Sequence, residues 1–96
     1  MSRRTILKFR LFVAGDTQNS AEAIANLSAF CRIHVPNRHE IEVVDVLREP
    51  QRAMKDGVFM TPTLVKLSPS PVRQIVGTLS ETHILLQVLG LRALTV

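Results

Sequence analysis

The chain has 96 residues, 46% hydrophobic and 21% charged, a balance that folds around one core and leaves no room for a second domain. No apolar run approaches the ~18–20 residues of a membrane span. Lys8 and Arg10 break the stretch behind Met1-Ser2-Arg3-Arg4, so no signal peptide is read and the cytoplasm is the expected location. A net charge of +4, without Trp or Tyr and with four Phe, lacks the stacking platforms of a single-strand binder and points to an acidic protein partner, with no nucleic acid and no membrane.

Thr5 to Val13 reads as a strand, with Leu7, Phe9, Leu11 and Val13 on one face and Ile6, Lys8, Arg10 and Phe12 on the other. Ala14-Gly15-Asp16-Thr17 is a loop. Asn19 is the expected cap of the following helix, with Glu22 three residues later as in a capping box. Ala23, Ile24, Leu27, Phe30 and Cys31 form one apolar stripe at helical spacing, and Pro36-Asn37 ends the helix. Ile41 to Val46 is a β-branched second strand. Pro50 opens a short helix to about Asp56, closed by Gly57. Thr63 to Leu67 and Val72 to Gly77 are short strands. The link between them, Ser68-Pro69-Ser70-Pro71, is too short for a crossover helix, so they pair antiparallel. Ser80 is the expected cap of a last helix carrying Ile84, Leu85, Val88 and Leu89 on its core side, with Gly90 as its stop.

The order is βαβ-α-ββα in one domain, residues 1–96. It predicts an α/β fold, a thioredoxin-like mixed four-stranded sheet with three helices. In enzymes of that fold the reactive thiols sit at the start of the first helix, where the dipole lowers a thiol pKa. Here that place holds Ala14 to Asn19, with no thiol. The single cysteine, Cys31, lies in the apolar stripe and reads as a small buried hydrophobe, so no CxxC pair and no redox catalysis are expected. Pro62, in Thr61-Pro62-Thr63 before a strand, is the candidate cis-proline of the fold. Cys31, His34 and His39 are close in sequence but lack a fourth ligand at metal spacing, so no metal is assigned. Ser80 lacks a nucleophile-elbow sequence, and no P-loop or dinucleotide fingerprint occurs, so no catalytic residue or cofactor is assigned and the chain is read as not an enzyme. The basic residues fall in two groups, Arg3, Arg4, Lys8 and Arg10 early, and Lys66 and Arg73 flanking the proline hairpin. They either form a patch for a carboxylate-rich surface or are scattered solvated charges.

Three stretches resemble the KaiB family of clock proteins. They are Leu11-Phe12-Val13-Ala14-Gly15-Asp16-Thr17 with Asn19-Ser20, then Val44 to Gln51 followed by Thr61-Pro62-Thr63-Leu64, and Pro69 to Gly77 with Leu79-Ser80. Together they span about Thr5 to Leu89. The resemblance implies a non-enzymatic protein that binds the ATPase KaiC and alters its phosphorylation cycle, serving either a circadian oscillator or a stress response. By position it implies partner binding at Arg73 and Lys66, and at Arg10 in the first strand. It also implies a second, fold-switched state, usually tetrameric, with a rearranged C-terminal half. Self-association as a dimer or tetramer stays open. Well-studied members carry a glycine and then an acidic residue in the last helix. This chain has Val88 and Gly90 there, or Gly90 and Arg92 in a gapped register, and lacks the acidic tail. Val88 favours helix over Gly by up to ~0.5 kcal/mol, so the thioredoxin-like state is expected to dominate. An NMR spectrum showing the C-terminal half as helix then strand would overturn this. The alternative readings are a thioredoxin-like sensor domain of a clock-linked histidine kinase, which requires the 96 residues to be a fragment, and a redox protein, tested by a thiol-disulfide assay with a Cys31→Ser control.

Overall fold

The computed structural model describes residues 5–91. Seven elements follow in chain order: β1 (Leu7–Val13), α1 (Gln18–His34), β2 (His39–Asp45), α2 (Pro50–Lys55), β3 (Thr63–Ser68), β4 (Arg73–Val76) and α3 (Thr82–Val88). The strands form one sheet in the order β2-β1-β3-β4. β1 pairs parallel with β2, as a strand–helix–strand connection requires, and β3 pairs antiparallel with both β1 and β4. The expected element order and mixed sheet are therefore what the chain adopts.

The alternation of β1 divides the core. Leu7, Phe9, Leu11 and Val13 join Ala23, Leu27, Phe30 and Cys31 of α1, Leu64 of β3 and Leu85 of α3 in the larger cluster. Phe12 points the other way, into a smaller cluster with Val44, Ala53, Val58 and Val65. Helices α1 and α3 thus cover one face of the sheet, and α2 covers the other.

Several boundaries differ from the sequence expectation. Thr17, not Asn19, caps α1: its Oγ1 accepts from the Ser20 backbone N–H at 3.3 Å. Ser20 explains the choice. It is buried, and its Oγ accepts from Thr17 Oγ1 at 2.7 Å and from the Ala14 N–H at 3.1 Å, so the cap is part of a network that closes the loop. Ser80 does not cap α3. The N-cap is Glu81, without a side-chain cap bond, because Leu79 adopts a φ of 65° and is buried before the helix begins. Strand β2 starts at His39 because its backbone pairs with β1 from Leu7 onward, regardless of side-chain type. Ile24 and Ile84, expected in the core, are partly exposed, while Leu86 packs against the larger cluster. The Thr61–Pro62, Ser68–Pro69 and Ser70–Pro71 peptide bonds are cis. Arg3, Arg4 and Arg92 lie outside the described residues.

Candidate partner-binding surface

The loop from β1 to α1 occupies the place where a thiol pair would sit. It is fastened to the loop after β2 through one carboxylate. Asp45 Oδ1 accepts from the Gly15 N–H at 3.0 Å and from the Leu47 N–H at 2.9 Å. Gly15 has φ +61°, a left-handed conformation that favours glycine, and a Cβ there would meet Leu47 Cδ1 at 3.3 Å, a contact that the exposed Leu47 side chain relieves by a small shift. Cys31 lies far from this loop, within the larger core cluster. Burial pushes its thiol up to about 11, so the thiolate needed for redox chemistry is strongly disfavoured.

The same end of the sheet carries an exposed apolar surface that sequence reasoning missed. Val46, Pro50, Ala53 and Met60 line a cleft of about 260 Å³ beside Phe59. Phe59 is 90% exposed, and Leu47, Met54 and Met60 are also exposed. Phe59 and Met60 line the cleft themselves, whereas Leu47 and Met54 are exposed on the loop after β2 and on α2 without lining it. The turn after α2 creates this arrangement. The Gly57 N–H donates to the Met54 carbonyl at 3.1 Å and the Val58 N–H to the Ala53 carbonyl at 2.8 Å. Val58 is thereby buried, and the next residue is left outside. The available signal was an apolar run, Val58-Phe59-Met60, that belongs to no periodic element. Exposed apolar groups gathered at a cleft mark a binding surface.

Lys66 and Arg73 are brought together, as cross-strand neighbours on β3 and β4. Phe9 is the β1 partner of Lys66, so this pair belongs to the face covered by α1 and α3, towards the hairpin end and away from the cleft. Only 4% of Lys66 is exposed, while Arg73 is exposed. Burial, and then the charge of Arg73, lower the Lys66 pKa. Among the described residues neither makes an ion pair with a carboxylate.

Arg10 does not join them. It lies on the opposite face of the sheet, with Nη1 2.8 Å from Asp56 Oδ2 and Nε 2.9 Å from Glu42 Oε1. The hydrogen bonds to Asp56 and Glu42 raise the pKa of the Arg10 guanidinium, and those from Arg10 and Arg52 lower that of Glu42. Of the three residues weighed as metal ligands, Cys31 is in the core, His34 packs on Phe30 with ring centroids 4.6 Å apart, and His39 Nδ1 lies 2.9 Å from the Val35 carbonyl oxygen. Among the described residues no three His, Cys, Asp or Glu side chains gather closely enough to hold a metal. No described helix is long and apolar enough to cross a membrane.

Residues 10–91 match the KaiB domain. This chain belongs to the KaiB family. It is 41% identical over 81 residues to the circadian clock oscillator protein KaiB of Synechococcus elongatus, which covers 84% of this chain and 79% of that protein. In fold it resembles the N-terminal domain of Synechococcus elongatus SasA, with a TM-score of 0.73 and 20% identity over 96% of this chain and 90% of that one. It also resembles Fasciola hepatica thioredoxin, with a TM-score of 0.71 and 20% identity over 94% of this chain and 85% of that one. The fold is thus thioredoxin-like. The three KaiB-like stretches occupy distinct parts of it. The first forms the end of β1 and the capped loop, the second the passage from β2 into α2 and the start of β3, and the third the hairpin and β4.

Proposed function

We propose that this chain is a non-enzymatic regulatory protein of the cytoplasm that docks on a KaiC-type ATPase and modulates its phosphorylation state in a circadian or stress-related timing system. The observation that carries the reading is the match of residues 10–91 to the KaiB domain, with 41% identity to a KaiB oscillator protein. The exposed apolar surface around Phe59 supports a binding role, because it offers aromatic and Met anchors beside a cleft. In this reading Phe59, Met60, Met54 and Leu47 form the docking face. Arg73, exposed on β4, supplies a second, basic contact for carboxylates of the partner or of another copy of this chain in a dimer or tetramer, with the buried Lys66 beside it adding to the local positive charge.

The test is gel filtration with the cognate ATPase, in ATP and in ADP, for both phosphorylation states, followed by phosphorylation kinetics. A co-eluting complex and a changed rate are expected. Absence of a complex under all four conditions would overturn the proposal. The second reading, a sensor domain of a clock-linked histidine kinase, is supported by the SasA likeness in fold alone, and the sequence identity favours KaiB.

A further inference from the structure

We infer that Arg10 is a positioning residue for the docking face, acting on a partner through α2 and not by touching it. The inference rests on the proposal that the surface around Phe59 is where the partner docks. Arg10 sits on the central strand β1, on the face that α2 covers, and its two donor groups are used in different directions. Nε binds Glu42 of β2 at 2.9 Å, and Nη1 binds Asp56, the residue that ends α2, at 2.8 Å. Arg52 of α2 closes the circuit. Its Nη1 lies 2.8 Å from the second carboxylate oxygen of Glu42 and 3.5 Å from Glu49. Two guanidinium groups and the Glu42, Glu49 and Asp56 carboxylates therefore join β1, β2 and α2 in one chain of ion pairs.

The clamp matters because α2 packs on the smaller core cluster through a small contact. It is six residues long, and Ala53 is its buried side chain. A helix of that length has no stability of its own. Asp56 is also the point from which the chain turns through Gly57 and Val58 to Phe59 and Met60. Its carbonyl oxygen accepts from Gln74 Nε2 of β4 at 3.1 Å, so the turn is held from both sides. Releasing the Asp56 carboxylate frees the end of α2 and with it the apolar side chains on either side of the cleft. A guanidinium already bound by two carboxylates, with its side chain 24% exposed, has little to offer an acidic partner directly.

A double-mutant cycle on affinity for the ATPase separates the two roles. Arg10→Ala and Asp56→Asn are each expected to weaken binding by about tenfold, and the double variant by no more than either single one, because both open the same clamp. Arg10→Lys, which can restore the contact to Asp56, is expected to recover part of the loss. Amide exchange, measured without the partner, should rise at Asp56, Gly57 and Val58 in Arg10→Ala and stay unchanged at Leu27 and Phe30 of α1. If Asp56→Asn leaves affinity unchanged or improves it while Arg10→Ala weakens it, Arg10 touches the partner and the inference fails. Unchanged exchange at 56–58 in Arg10→Ala also overturns it. If the wild-type chain binds no ATPase, the proposed function fails, while the exchange experiment still decides whether Arg10 clamps α2.

Discussion

Phe59→Asp is expected to reduce affinity for a KaiC-type ATPase by at least about thirtyfold while leaving the fold intact. Truncating a buried aromatic anchor at an interface costs ~2 kcal/mol or more, and each ~1.4 kcal/mol is a factor of ten. Placing a carboxylate in an apolar contact adds a desolvation penalty to that loss. In the free protein the same side chain is 90% exposed, so the substitution should change unfolding free energy by no more than ~0.5 kcal/mol. Titration calorimetry gives the first number and a urea melt the second. Unchanged affinity would remove this face from the interface. A large stability loss would mean that Phe59 packs inside the molecule in solution.

Phe12→Ala is expected to have the opposite profile. Phe12 is fully buried and anchors the smaller cluster with Val44, Ala53, Val58 and Val65. Removing a buried Phe costs ~3–5 kcal/mol in lost transfer energy and residual cavity. For a domain of this size the whole stability is ~5–14 kcal/mol. The urea midpoint should therefore fall by about a fifth or more, and the melting temperature by ~12–40 °C. Because Ala53 and Val58 flank the cleft, affinity should also drop, but by way of loosened packing under α2. A loss below ~1 kcal/mol would show that this face of the sheet does not depend on Phe12.

The contrast between these two phenylalanines marks how far the sequence could be read. The alternation through β1 placed Leu7, Phe9, Leu11 and Val13 on one buried face, and all four are buried there. The short proline link required β3 and β4 to pair antiparallel, and they do. The stripe on α1 identified Ala23, Leu27, Phe30 and Cys31 correctly. Its neighbour Ile24 fits the same spacing yet is partly exposed, because helical period marks a broad arc and packing selects only part of it. The caps failed for a related reason. Asn19 and Ser80 have suitable side chains, but Ser20 recruits Thr17 into its own network, and Leu79 enters the core before α3 can start.

The candidate site was less legible than the fold. Lys66 and Arg73 were marked as the basic residues flanking the proline hairpin and again by resemblance, and they lie side by side. Arg10, named in the early basic group and matched by the same resemblance, faces the other way and is bound by two carboxylates. Phe59 and Met60 carried no signal beyond an apolar run outside any element.

The chain order, the turn residues and the periodicity were enough to establish the element sequence, the strand directions and the absence of a thiol pair, because each is a local property of the backbone or a direct count. Which side chains meet was left to the tertiary structure. Arg10 reaches Glu42 and Asp56 across 32 and 46 residues of chain, and Phe59 is exposed because no other element among the described residues covers the turn after α2. Exposure and ion pairing depend on what the rest of the molecule brings to a face, and that information is spread over the whole sequence instead of residing near the residue concerned.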